Sequence, residues 1–544
     1  MAVKKVAIIG CGVGGLTAIK CCLDAGLQPT CFEQQSKFGG IWNYTDGPRP
    51  NLGSVHASTI TNVSKATICY SDYPMPKEWP NYMHHSMFMK YLEMYAKEFD
   101  LERYVKLNTT VERLSKAADH ETTGRWLVSY TRKSEDGKVT EENHKGETIE
   151  ETFDAVMICV GHLCYPATPK FPGMEDFKGV QVHSGNYRSF HPFVGKRVVV
   201  VGSSYSAGDI SIELSLHASQ VYLSTRQGSY VVKRLVPGST KPFDHQITRQ
   251  ESFVNKYFNR SLFKGVLNTE YDFVRLGLQP TGVAMVQQFP FFGEELPTRI
   301  MSGRVIVKGA LKELRGSSVV FDGEDVVDNI DAIVYATGFD LKFPFASDLI
   351  EVENGHYTRL YKHIFIPDAD QQTLAVIGLM ETIGAHPPIW EIQARVACEV
   401  FAGRCVLPSK ADRVAECVAE EEYLTKIGRP KEKFLYGVMN IPYMDEVSAL
   451  IGAKPNLWSI FLRDPKLAYC CFYGPGIGAQ YRLQGPNTWK GAKNVIKSVE
   501  EDYQYPLKAK RCEPMMAKKE SSYLFWVLVV VFGALLAYFL RYLL

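Results

Sequence analysis

Val6-Ala7-Ile8-Ile9-Gly10-Cys11-Gly12-Val13-Gly14-Gly15 carries an apolar run of strand length into G-x-G-x-x-G (Gly10, Gly12, Gly15). It passes straight into a helical pattern over residues 16–25, stopped by Gly26. Each glycine has its own physical task. Gly10 makes the tight turn, Gly12 lets backbone approach a pyrophosphate, and Gly15 lets helix pack on strand. Backbone N–H groups at the helix start then hold phosphate charge with help from the helix dipole. A second short strand, residues 29–32, ends in Glu33, 23 residues after Gly10, where the ribose-binding acid of a dinucleotide site belongs. The stretch predicts an α/β fold with a parallel sheet and a dinucleotide at the strand ends.

A second signature begins at Lys196. The strand 197–201 leads into Gly202-Ser203-Ser204-Tyr205-Ser206-Ala207-Gly208-Asp209 and a helix with Ile210, Ile212 and Leu214, a degenerate G-x-S-x-x-A. The next strand, 220–223, ends in Ser224-Thr225-Arg226, with Arg226 24 residues after Gly202. An acid such as Glu33 would repel a 2′-phosphate, whereas an arginine pairs with it. The first site therefore suits FAD or NAD and the second NADP. Two nucleotide sites of opposite end-of-strand charge indicate an oxidoreductase without naming its reaction.

The 544 residues suggest two or three domains, and 46% hydrophobic against 22% charged content allows a sizeable core. Lys plus Arg number 61 and Asp plus Glu 59, so no electrostatic case for nucleic acid exists. The 13 cysteines form no C-x-x-C pair and no metal-like grouping. Cys159 and Cys164 give a C-x4-C, but it straddles a strand end rather than lying on a helix, which argues against a redox pair. Thiols read as reduced point to a cytosolic face. The first strand starts by residue 4, leaving no room for a signal peptide. Residues 522–540 are 19 in a row without a charge, between Lys518-Lys519 and Arg541. They are just long enough to cross a bilayer, and apolar residues on every face favour a membrane helix over a buried terminal one.

Between these landmarks, the two glycines of Phe38-Gly39-Gly40-Ile41-Trp42 permit close approach of a ligand, and Trp42 offers it a flat face. Thr61-Asn62-Val63-Ser64 follows in a polar stretch. Asn62 also reads as a glycosylation sequon, as do Asn108 and Asn259, chance matches if this face is cytosolic. Ser86 is expected to cap a helix reaching Phe99. Residues 105–158 read as strands and hairpins with a charged insert near 134–146. An aromatic-rich segment, 235–299, looks like an insertion over an active site or against a membrane. A buried strand ends at Ala336-Thr337-Gly338. Another at 374–379 precedes Gly384-Ala385-His386-Pro387-Pro388 and a helix with Glu391, Gln393 and Arg395. His386 reads as a loop residue, and no Ser/His/Asp or paired-carboxylate arrangement stands out.

Phe177-Lys178-Gly179-Val180-Gln181-Val182-His183-Ser184-Gly185-Asn186-Tyr187 fits F-x-G-x-x-x-H-x-x-x-[YF]. With both glycine motifs, Glu33, Asn62, Arg226, Ala336-Thr337-Gly338 and the apolar tail, the chain resembles the animal flavin-containing monooxygenases over nearly its whole length. The resemblance implies two Rossmann-like domains plus a C-terminal membrane helix: 1–160 with 330–445 for FAD, 161–329 for NADP, an extension at 446–512, and the helix at 522–540. It implies FAD on Gly10, Cys11, Gly12, Val13, Gly14 and Gly15 with Glu33 on the ribose. Gly40, Ile41, Trp42, Thr61, Asn62 and Val63 would lie around the flavin and nicotinamide. NADPH would rest on Gly202, Ser204, Tyr205, Ser206, Ala207, Gly208 and Asp209, with Arg226 on its 2′-phosphate. Thr337, Gly338 and Gln393 complete the cofactor-binding set, and Asn62 is the side chain tied to catalysis.

The activity so implied is reduction of the flavin by NADPH, O2 addition to a C4a-hydroperoxyflavin, and oxygen transfer to the amine nitrogen or sulfur of a small molecule. The related ketone-oxygenating Baeyer–Villiger class usually has Trp where Tyr187 stands. An uncoupled NADPH oxidase releasing peroxide is a further reading. Endoplasmic reticulum attachment with the catalytic part facing the cytosol also follows from the likeness; the oligomeric state is open, a homo-oligomer being one outcome because a membrane-bound helix often associates. The chain departs from common vertebrate members at Ser204-Tyr205 (often Gly-Asn), His85 (often Asn) and Gly14 (often Ser).

Overall fold

The computed structural model describes residues 4–507 apart from 48, 50, 51, 133–147, 259–270, 281–289, 432–434 and 436. Its centre is the quoted apolar run. β1 (Lys5–Ile9) pairs in parallel with β2 (Gln28–Phe32) on one side and with Ala155–Ile158 on the other. Leu374–Val376 and Val105–Lys106 complete a five-stranded parallel sheet as its two edges. A strand covered on both faces reads as continuously apolar, and Val6 to Ile9 are all buried. Val6 and Ile8 meet Leu16 and Ile19 of α1 (Val13–Asp24) and Ile389, Ile392 and Val396 of a later helix. Ala7 and Ile9 point the other way, onto Val111, Trp126 and Val128 of an antiparallel sheet formed by Thr109–Lys116, Trp126–Arg132 and Thr148–Phe153. Gly10, with φ of 95°, turns the chain out of β1 into the helix approach.

The second motif repeats the plan. β3 (Arg197–Val201) is followed by α2 (Tyr205–Leu214) and β4 (Gln220–Ser224), within a parallel sheet ordered Val305–Lys308, β4, β3, Ala332–Tyr335, Val180–His183. Here one boundary needs correction. Placing 330 onward with the first unit assigned Ala332–Tyr335 to it, yet that strand pairs with β3, Val198 opposite Ala332 and Val201 opposite Tyr335. The chain returns to the first unit just after it: Leu341, Phe343 and Ala346 pack with Ala7 and Ile9, and Leu374–Val376 then joins the first sheet. The helix expected from Ser86 runs over His85–Glu98, and His84 caps it through Nδ1, which accepts from Ser86 N.

The helix α3 (Pro387–Phe401) packs along α1, and the helices Pro465–Tyr473 and Ala492–Gln504 close a small core of their own around Leu467, Cys471 and Ile496. The membrane helix expected at 522–540 and the charged insert at 134–146 lie outside the described residues. Among the described residues no helix is long and apolar enough to cross a membrane.

Candidate active site

Ligands of parallel sheets bind beyond the carboxyl ends of the strands, and here the ends of neighbouring strands open into one cavity. About 460 Å³ in volume, it is lined by Gly10 to Gly14 past β1 and Glu33 past β2. His162 past Ala155–Ile158, Gly378 past Leu374–Val376, and Gly40, Ile41 and Trp42 line the rest of this side of it. The start of α1 faces this space with no side-chain cap and no acid in its first turn, so its N–H groups and dipole are turned toward a ligand. Across from it the backbone of Gly40 comes so close that a Cβ there would stand 3.2 Å from Gly12 Cα. Glu33 is 6% exposed; Oε2 accepts from Cys11 N at 2.8 Å and Oε1 from Gln35 N at 2.9 Å. Burial pushes its carboxyl up, and the N–H groups of Gln35 and Cys11 and the charge of Arg49 pull against that. An uncapped helix start, a side-chain-free cleft and a fixed acid fit the pyrophosphate and ribose of FAD.

A second cavity of about 330 Å³ lies alongside, and Ile41, Trp42 and Leu163 line both. Trp42 is held by Phe88, ring centroids 4.4 Å apart. Thr61, Asn62 and Val63 from the first unit face Tyr205, Ser206 and Asp209 from the second across this space, with Phe243 and Phe292 of the aromatic-rich insertion covering it. Like α1, α2 starts without a side-chain cap or an acid in its first turn. Burial pushes the Asp209 carboxyl up to about 7; Arg234 opposes this, and Glu295 and Glu213 add to it.

Asn62 Oδ1 accepts from Arg234 Nη2 at 2.9 Å, so the amide has N–H donors to offer the cavity. The loop that carries it is pinned from the second unit. Asp244 accepts from Ser64 N at 3.0 Å, Ser64 Oγ at 2.7 Å and Thr67 Oγ1 at 2.5 Å. His245 Nε2 lies 3.1 Å from Ser64 Oγ. Ser, His and Asp do meet here, but the carboxylate holds the hydroxyl rather than the imidazole and Ser64 is fully buried, which is a clamp rather than a nucleophile arrangement.

The remaining predicted residues stand apart from both cavities. Gly15, Gly202, Ala207 and Gly208 are packing positions at the two helix starts, and Ser204 precedes α2. Arg226 is exposed beyond the end of β4. Thr337 donates to the Ala167 carbonyl at 2.6 Å, and Gly338 follows it. Gln393, fully buried on α3, accepts from Gly378 N at 2.9 Å and donates to Tyr443 Oη at 2.7 Å, bracing the cavity from behind. Tyr187 is buried, its hydroxyl donating to Glu213 and its ring edge-on to His56, which lines the second cavity.

Sequence reading missed Arg234, Asp244, His162 and Glu381, and took His386 for a loop residue; the last three form a partly buried trio. His162 lines the first cavity, while Glu381 and His386 line the second. The available signal was position: His162 and Glu381 each fall just past a strand that pairs with its neighbour in the first sheet. The described cysteines are all free, and Cys164 donates to the Val160 carbonyl at 3.2 Å.

A family model described as flavin-binding monooxygenase-like matches residues 3–540. The chain belongs to that family. It is similar to flavin-containing monooxygenase 5 of Cavia porcellus, 39% identical over 99% of this chain and 100% of that one. It is also similar to dimethylaniline monooxygenase [N-oxide-forming] 2 of Pan troglodytes, 38% identical over 95% of each. Its fold is shared with S-allyl-L-cysteine S-oxygenase from Allium sativum, TM-score 0.63 and 23% identity over 92% of this chain and 99% of that one. The monooxygenase is thus an FAD- and NADPH-dependent enzyme that consumes O2.

Proposed function

We propose that this monooxygenase oxygenates soft nucleophilic atoms, amine nitrogen or sulfur, of small molecules. The observation that carries the reading is the wall that Ile41, Trp42 and Leu163 share between the two cavities. Cofactors in these cavities would meet across these shared side chains, where a small substrate can approach both. The name of the Pan troglodytes relative, at 38% identity, supports nitrogen as an oxygen acceptor. Bound FAD supplies two-electron exchange with NADPH and the activation of O2.

This chain's own residues bind and orient. The uncapped start of α1 and Gly10 to Gly14 hold the FAD pyrophosphate, and Glu33 takes the adenosine ribose. NADPH lies over Ser206 to Asp209, with Arg226 outside the enclosed space pairing with the 2′-phosphate. Asn62, its Oδ1 taken by Arg234, donates an N–H at the flavin–nicotinamide junction. Residues 1–160 with 341–445 form the FAD unit and 161–340 the NADP unit. Residues 522–540, an uncharged run flanked by Lys518, Lys519 and Arg541, attach the enzyme to the endoplasmic reticulum membrane with the catalytic part toward the cytosol.

The test supplies the holoenzyme with NADPH, O2 and either an N,N-dialkylaniline or a thioether. One N-oxide or sulfoxide per NADPH is expected, and Asn62→Ala should keep its flavin yet lose that product. Peroxide equal to the NADPH consumed would overturn the reading in favour of an oxidase. Esters formed from ketones, with no N-oxide or sulfoxide, would overturn it in favour of Baeyer–Villiger chemistry.

A further inference from the structure

Both ring nitrogens of His162 face groups that only accept hydrogen bonds. Nδ1 lies 3.3 Å from the Gly378 carbonyl oxygen, and Nε2 meets Glu381 Oε1. A neutral imidazole has one N–H and satisfies one such partner; the imidazolium satisfies both. A protonated Glu381 would offer the other solution, but a carboxyl is the stronger acid of the two, so the shared proton sits on the imidazole; the second oxygen, Oε2, lies 3.0 Å from His386 Nε2. Thr382 N is the more distant partner of that nitrogen, at 3.4 Å. Each carboxylate oxygen thus has an imidazole of its own. Burial works against the charge on Glu381, and the His162 and His386 rings more than offset it, holding the carboxyl well below its usual range. Burial likewise opposes charge on His162, and Glu381 and the Gly378 carbonyl outweigh it, raising its pKa. The Tyr205 phenol shares the surroundings of Glu381 and is pushed up by burial first and then by that carboxylate.

The His162 side chain is 14% exposed and that of Glu381 13%, so solvent screens little of this charge. The trio spans the two cavities, His162 in the wall of the first and Glu381 and His386 in the wall of the second.

We propose that His162 is a standing imidazolium in the wall of the flavin cavity, kept protonated by Glu381 and His386, and that its charge favours the reduced, anionic form of the bound FAD. When a hydride passes from NADPH it carries two electrons and one proton to the flavin, leaves NADP+ behind, and adds one negative charge to the cavity. His162 gives up neither electron nor proton; it meets that charge with a positive one already in place, at no reorganisation cost. Glu381 acts through His162 and is a positioning residue.

The inference rests on FAD occupying the first cavity, so the experiment reads the flavin itself. The midpoint potential of the holoenzyme is measured anaerobically against reference dyes for the natural protein, His162→Gln, Glu381→Gln and His386→Asn, with flavin content recorded for each. His162→Gln is expected to shift the reduced-to-oxidised ratio at least tenfold toward oxidised, a drop of about 30 mV for a two-electron couple. Glu381→Gln should move it the same way, because a buried imidazole without its carboxylate sheds the proton, and His386→Asn should move it less. Midpoints unchanged in His162→Gln and Glu381→Gln with flavin fully bound would overturn the proposal. Should His162→Gln fail to retain flavin, Glu381→Gln, which lies outside the flavin cavity, decides alone. A natural protein without flavin would instead refute the cofactor assignment.

Discussion

Asp209 faces the second cavity from α2, with Glu295 and Glu213 near it and Arg234 opposing them. Burial pushes its carboxyl up to about 7. A raised acid pKa means that the proton is held below that pH and lost above it. NADP+ brings phosphate charge to the same space, so the neutral carboxyl accommodates it and the ionised one repels it. The NADP+ dissociation constant should therefore rise as the pH passes from about 6 to about 8, by up to about tenfold per unit above the pKa, and Asp209→Asn should flatten the profile. Titrating NADP+ into the holoenzyme at several pH values checks this. Asn62 was legible at this scale because a family motif carries it. His162 was not, since a lone histidine after an apolar strand has no signature until Glu381 is beside it.

At the scale of the element, the strand–turn–helix of β1 and α1 was readable almost residue by residue, and its glycines are not equivalent. A Cβ on Gly15 would lie 2.0 Å from the Gly10 carbonyl oxygen, a clash between two stretches of backbone that no rotamer relieves. One on Gly14 would lie 3.6 Å from Ile377 Cγ2, an ordinary contact. Gly15→Ala is expected to abolish flavin-loaded protein, whereas Gly14→Ala should fold and retain flavin with stability changed by less than about 1 kcal/mol. Flavin absorbance of the purified variants distinguishes them. The site at position 14 therefore has room for the Ser common in vertebrate members as well as for Gly14.

Across the whole molecule, Arg482 ties the C-terminal extension to the first unit. It is 1% exposed, with Nη2 2.6 Å from Glu391 on α3 and 2.9 Å from Asp72, while Lys20 of α1 reaches the same Asp72. A buried ion pair adds little net stability against an apolar pair, but removing one partner strands the other charge. Arg482→Met should destabilise the fold by about 3–5 kcal/mol, read as a lower denaturant midpoint. No change would mean that Lys20 alone compensates both carboxylates. What the sequence by itself determined is what lies within one local segment: two strand–turn–helix units, the acid and the arginine that end their second strands, and a run of apolar residues long enough for a membrane. Backbone geometry at a turn is set by the residues in that turn, so such features are readable in order. Only the tertiary structure decided which strand crosses between sheets, that Asp244 clamps the Asn62 loop from the other unit, and that His162 and Glu381 meet between the two cavities. Those are contacts between residues far apart in the chain, created when parallel strands align their ends, and no local pattern encodes them.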